Sequence, residues 1–146
     1  MTSALRLTAV ADRLRTLVRP LTDQGLQAVL DGVTDGLVLL DDAAIKFADA
    51  DAVEAVTELL SRRIDLPADR VLRAIEAPSE AALTVICRAA GLNVNGFSAI
   101  LRMRRRRLPG DVSPAEVLAA FLGTSLATAR QVVAMLRLHD VVELPE

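Results

Sequence analysis

The chain has no tryptophan, no tyrosine and only three phenylalanines among 146 residues. Sandwiches and barrels of strands draw their packing from aromatic and β-branched side chains, whereas here alanine, leucine and valine supply most of the apolar half. That composition favours helices packed at close range. One cysteine, Cys87, excludes an internal disulfide, and one histidine, His139, leaves no ordinary zinc ligand set. Cys87 lies beside Ile86 and Ala90 on the apolar face of a predicted helix, the setting of a buried structural thiol. His139 follows the last apolar helical position, Leu138, and so fits a helix end rather than a phosphotransfer site.

Long uncharged runs are missing too. No segment reaches the ~18 consecutive apolar residues of a membrane span. The first twenty residues interleave Arg6, Arg13, Arg15 and Arg19 with Leu7, Val10, Leu14, Leu17 and Val18, without the unbroken core of a secretory signal. They predict an amphipathic helix and a cytoplasmic protein. No glycine-rich phosphate loop, nucleophile elbow or Ser/His/Asp set can be assembled. The carboxylates Asp41, Asp42, Asp49, Asp51 and Glu54 lack the glycine and spacing of a calcium loop. The expectation is a protein that is not an enzyme and holds no cofactor and no metal.

Charge is present but segregated. From Asp23 to Glu58 there are nine acidic residues against Lys46, a balance of −8. From Arg62 to Arg107 there are ten arginines against Asp65, Asp69, Glu76 and Glu80, a balance of +6. Such polarity can orient a self-contact or a charged partner. Arginine makes up all the basic residues except Lys46, which GC-rich codon usage would explain as readily as any chemistry.

Apolar periodicity predicts helices at about 4–18, from Thr22 or Asp23 to near Gly32, and then at 51–63, 67–76, 79–90, 94–107, 114–122 and 125–138. Pro67 and Pro114 suit first helical turns, and Ser79 and Ser113 suit N-caps. Between Gly36 and Asp49 the pattern changes. Gly36-Leu37-Val38-Leu39-Leu40-Asp41-Asp42-Ala43-Ala44-Ile45-Lys46-Phe47 allows two short strands about an Asp-Asp turn, a hairpin over 37–48. That order resembles the opening of a PAS sensor domain, whose further long strands the rest of the chain does not supply.

One phrase recurs. Leu66, Leu92 and Leu126 each follow a short apolar helix and precede a second apolar run, at spacings of 92 − 66 = 26 and 126 − 92 = 34 residues. Recurrence of a helix–turn–helix unit predicts short antiparallel helical repeats, as a stack or a compact bundle, over 51–138. The whole chain, 1–146, is then a single all-α domain with the N-terminal helices and the hairpin-like segment in 1–50. The stretches Ala82-Leu83-Thr84-Val85-Ile86-Cys87-Arg88-Ala89-Ala90-Gly91-Leu92 and Val117-Leu118-Ala119-Ala120-Phe121-Leu122-Gly123 resemble the C-terminal repeats of an uncharacterised bacterial HEAT-like helical-repeat family, a domain of unknown function. The resemblance implies a helical stack or bundle and no known catalytic residues.

Two function classes compete. The first is a non-catalytic adaptor that presents an arginine ridge, Arg102, Arg104, Arg105, Arg106 and Arg107, to a protein partner. The second is a nucleic-acid-binding helix-turn-helix over 82–107, with Asn93, Asn95 and Ser98 facing bases and the same arginines reaching phosphates. Gly96 within the reading helix and the net charge of −2 favour the adaptor. A positive mean hydropathy of +0.37 in so small a chain predicts self-association, most simply a dimer through Leu7, Val10, Leu14 and Leu17.

Overall fold

The computed structural model describes residues 23–110 and 112–138. Among them lie eight helices and no strand: α1 (Asp23–Thr34), α2 (Leu40–Asp49), α3 (Val53–Ile64), α4 (Ala68–Glu76), α5 (Ala81–Ala90), α6 (Val94–Arg107), α7 (Pro114–Gly123) and α8 (Leu126–Leu138). The predicted helix at 4–18 and the dimer contact built on it fall outside the described residues. The all-α class holds, and the predicted helices from residue 51 onward recur with shifts of one or two residues.

The hairpin over 37–48 is overturned. Asp41 and Asp42 form the first turn of α2, where carboxylates complement the helix dipole, rather than a turn between strands. Ala43, Ala44, Phe47 and Ala48 are all fully buried, at the i, i+1, i+4, i+5 spacing of a helix face. Only Leu37 to Leu39 remain outside helix, with Leu37 and Leu39 exposed. Helix α1 also runs past Gly32 to Thr34, and the left-handed turn falls at Gly36.

Two of the three repeated turns share one mechanism. After α3 and after α5 the chain enters a left-handed conformation, at Asp65 (φ 55°) and Gly91 (φ 88°). The next amide then closes back on the helix, Leu66 N–H to Ser61 O and Leu92 N–H to Cys87 O. Leu66 and Leu92 are thereby turned into the core. The third copy differs. Thr124 after α7 stays extended, Ser125 Oγ accepts the Thr128 N–H to start α8, and Leu126 is left 37% exposed.

Packing follows a bundle rather than a linear stack. Helix α5 touches α3, α4, α6, α7 and α8, and the most extensive helix–helix contact joins α2 to α6, far apart in sequence. A solenoid helix would meet only its neighbours. The two helices run parallel: Asp41 at the start of α2 accepts the Asn93 N–H (2.8 Å) at the start of α6, and Arg106 near the end of α6 donates to Ala48 O near the end of α2. Small residues allow the approach. A Cβ at Gly96 would stand 2.3 Å from Asp41 Oδ1 and 2.9 Å from Leu92 Cδ2, so the position accepts nothing larger than hydrogen without displacing both.

Cys87 is wholly buried, as its place on the apolar face predicts. Burial pushes its thiol pKa far up, so it stays protonated in the folded state. An acid whose folded pKa is raised contributes stability below its unfolded pKa and loses it as pH climbs past that value. The chain has no tyrosine and a single lysine, so few other side chains titrate there. Relative to Cys87→Ala, the wild-type protein should lose stability above about pH 8.5, with a limiting slope of about 1.4 kcal/mol per pH unit. Urea melts at a series of alkaline pH values check this; parallel curves for the two proteins would contradict it.

Candidate functional site

The arginine ridge does not stay together. Arg104 is 1% exposed and points into the molecule, where its guanidinium meets the end of α4. Nε donates to Ile75 O (3.0 Å), one Nη to Ala77 O (2.5 Å) and Pro78 O (3.4 Å), and the other Nη to Glu80 Oε2 (3.0 Å). Pro78 and the extended Ala77 stop α4 at Glu76, leaving carbonyls without helical donors. Arg104 supplies those donors.

Arg105 completes the cluster from the rim. Its Nε and Nη2 hold the two oxygens of Glu80 at 3.1 and 2.7 Å, and Nη2 also reaches Val112 O (2.5 Å). The hydrogen bonds to Glu80 push the Arg105 pKa further up, desolvation opposing. Arg106 and Arg107 share Asp51 at 3.5 and 3.6 Å, at the half-exposed end of α6. Arg102 alone of the five is exposed with no ion pair or hydrogen bond among the described residues. The expected ridge is corrected: Arg104 and Arg105 are structural, Arg106 and Arg107 are tethered to Asp51, and Arg102 is free.

The same chemistry recurs at other helix ends. Arg63 Nε donates to Ala90 O (3.0 Å) at the end of α5, and Arg88 Nε to Thr124 O (2.8 Å) just past α7. Arg137 Nε donates to Ile64 O (3.1 Å) at the end of α3, and Arg70 to Leu136 O near the end of α8. With Arg104 on α4 and Arg106 on α2, six helix C-termini each receive an arginine from a different helix. Favourable contact of a cation with the negative end of the helix dipole adds to each hydrogen bond. Spacing within any one helix does not reveal these pairs, because every donor lies at least 26 residues from its acceptor.

The helix-turn-helix geometry is present only in outline. Helices α5 and α6 flank the Gly91 turn, but α2 lies against α6 where a groove would have to. Asn93 is not free to read a base edge: its side chain caps α6 by accepting from Asn95 N–H (2.9 Å) and Gly96 N–H (3.0 Å). Ser98 Oγ bonds back to Val94 O (2.6 Å).

What the structure does expose is apolar and lies at the C-terminal corner. Helix α7 buries only Val117 and Phe121. Phe121 stacks on Phe97 of α6 with ring centroids 4.4 Å apart, and Arg88 covers it with its guanidinium carbon 5.3 Å from the ring centroid. The opposite side of α7 presents Ala115, Leu118, Ala119 and Leu122, spaced i, i+3, i+4, i+7. Leu118 is half-buried and Leu122 is 61% exposed, and the stripe continues to Leu126 at the start of α8. A helix apolar on all sides normally has all sides covered. Met135 and Leu138 add exposed apolar surface toward the far end of α8. No single described helix is long and apolar enough to cross a membrane, and α7 and α8, which pass that test as a pair, are bent by 90°. The sequence reading passed over this face because it took Val117 to Leu122 as repeat core throughout.

The family model described as an uncharacterised protein conserved in bacteria, DUF2336, matches residues 2–135. The chain belongs to the DUF2336 family. No curated protein and no solved structure matches it. Within the DUF2336 match lie the buried arginine cluster and nearly all of the α7–α8 corner.

The two halves of the expected ridge should separate in stability measurements. Arg104→Lys keeps the charge but lacks the planar fork that reaches several acceptors, and should cost about 2–4 kcal/mol. Arg102→Ala should change stability by less than about 0.5 kcal/mol. Denaturant unfolding followed by circular dichroism reads both; equal effects would refute the assignment of Arg104 as structural.

Proposed function

We propose that this DUF2336 chain is a non-catalytic protein-interaction module, adaptor-like in mechanism, whose contact surface is the α7–α8 corner. The observation that carries the reading is the outward stripe of α7, with Leu122 61% exposed on a helix held rigidly from behind by the Phe97–Phe121 stack. Rigid apolar surface on a well-packed support loses little entropy on binding, and contiguous patches of this kind mark contact sites. The surviving part of the arginine ridge, Arg102 with the outer edges of Arg106 and Arg107, gives a partner an electrostatic margin rather than the main contact. The HEAT-like reading belongs to this proposal in a reduced form. Support for it comes from the shared turns after α3 and α5, while the packing of α2 on α6 favours a closed bundle that displays one corner. The nucleic-acid reading has less support, since α2 lies against α6 and Asn93 is engaged as a cap.

The test compares three immobilised proteins in a bacterial extract: wild type, Leu122→Glu and Arg102→Ala. Wild type and Arg102→Ala should retain the same bound protein, and Leu122→Glu should lose it with an unchanged helical spectrum. Retention by Leu122→Glu would contradict the assignment of the surface. A salt-sensitive gel shift of random duplex by the wild-type protein would contradict the module reading itself.

A further inference from the structure

The charges around the α7–α8 corner say more about what covers it. Glu116 lies in the first turn of α7, with its backbone N–H capped by Ser113 Oγ (3.3 Å), while its carboxylate has no partner among the described residues. Arg130, one turn into α8, is exposed and equally unpartnered among them. Arg137, by contrast, is engaged at Ile64 O. The two free charges are of opposite sign and sit beyond opposite ends of the same apolar stripe. A helix of ten residues such as α7 is about 15 Å long. A two-fold axis crossing it near Leu118 and Ala119 would superpose its Glu116 end on the Leu122–Leu126 end of a second, antiparallel α7. That operation brings Glu116 of each copy toward Arg130 of the other, twice, around a centre of Leu118, Ala119 and Leu122.

Resting on the reading of this corner as a contact surface, we infer that its occupant is a second copy of the same chain, joined through antiparallel α7 helices in an isologous dimer. The face is self-complementary in the way a two-fold contact requires, each residue meeting its counterpart's complement. Alanine at positions 115 and 119 permits close approach of the two helices, and the leucines supply the area. The charge pairs at the rim fix the antiparallel sense, because a parallel arrangement would set Glu116 against Glu116.

Sedimentation of the purified full chain tests this directly. Between about 1 and 100 μM, a range in which interfaces of standard size associate, the mass should rise from 15.6 kDa toward twice that value. Glu116→Arg should weaken the dimer by about tenfold or more by placing like charges together, and Glu116→Arg with Arg130→Glu should restore it. Leu122→Glu should leave a monomer. Restoration by the charge swap cannot come from misfolding, so the inference survives any instability of the Leu122 variant. A monomer at all concentrations would overturn it, whether the corner is then covered by residues 4–18 of the same chain or by a different protein. A dimer indifferent to both Glu116→Arg and Leu122→Glu would overturn it as well. If the chain is monomeric but Leu122 still governs capture from an extract, the copy is wrong and the contact surface stands; if neither holds, both fall.

Discussion

The guanidinium of Arg104 is the constraint on which the arrangement of α4, α5 and α6 depends. It sits on α6, satisfies the carbonyls left by the early stop of α4 and pairs with Glu80 at the head of α5. A buried ion pair of this kind adds little stability over well-packed apolar residues, since desolvation offsets much of the attraction. Its effect is on selection. With Glu80 7% exposed and Arg104 1% exposed, any other register of α6 would bury a charge without its partner, at a cost of about 3–5 kcal/mol. Apolar packing between Ala- and Leu-rich helices is permissive about register, and the buried guanidinium is not. Every buried polar side-chain atom among the described residues finds a hydrogen-bond partner, so the selection carries no orphaned group with it.

Arginine richness and charge polarity are two sides of the same design. The acidic stretch 23–58 and the basic stretch 62–107 meet inside one chain: Asp31 with Arg62, and Asp51 with Arg106 and Arg107. The remaining arginines are used largely at helix ends. A planar fork can serve a backbone carbonyl and a second acceptor together, which lysine cannot do in the same geometry. Codon usage supplies arginine, and the fold employs its geometry. Segregated charge in the sequence therefore points to an internal contact here, and the surface left for a partner is mainly apolar. The surface ion pairs among these contribute modestly on their own; the half-exposed pair Arg62–Asp31, at 3.3 Å, belongs in that class.

The sequence made the helices after residue 50 legible because their apolar spacing, prolines and caps agree with one another. Ser113 followed by Pro114 is such a case, capping and opening α7 as expected. Helix α2 was illegible because its face is made of alanines, which carry no strong periodic signal, and because two aspartates before a short apolar run serve a helix start and a tight turn equally well. The burial of Arg104 was hidden for a different reason. Five arginines in six positions look like a solvated helix end, and only the position of the α4 terminus, fixed by Pro78 and Ala77 some 26 residues earlier, turns one of them inward. The α7 face was misread because amphipathicity tells which residues are apolar and not whether anything lies against them. Leu66 and Leu92 enter the core where Leu126, in the same phrase, does not, since only the first two follow a left-handed turn.

The central claim is that arginines of one helix hold the C-terminal carbonyls of another, with Arg104 the most deeply committed. A proton–nitrogen correlation spectrum of the arginine Nε groups, recorded with hydrogen exchange, tests it in the native protein without any substitution. The Nε–H of Arg104 should exchange slowest, with those of Arg63, Arg88, Arg105 and Arg137 also protected, each being a donor in the structure. Those of Arg102 and Arg130 should exchange at the rate of free arginine. An Arg104 Nε–H that exchanged as fast as that of Arg102 would contradict the account.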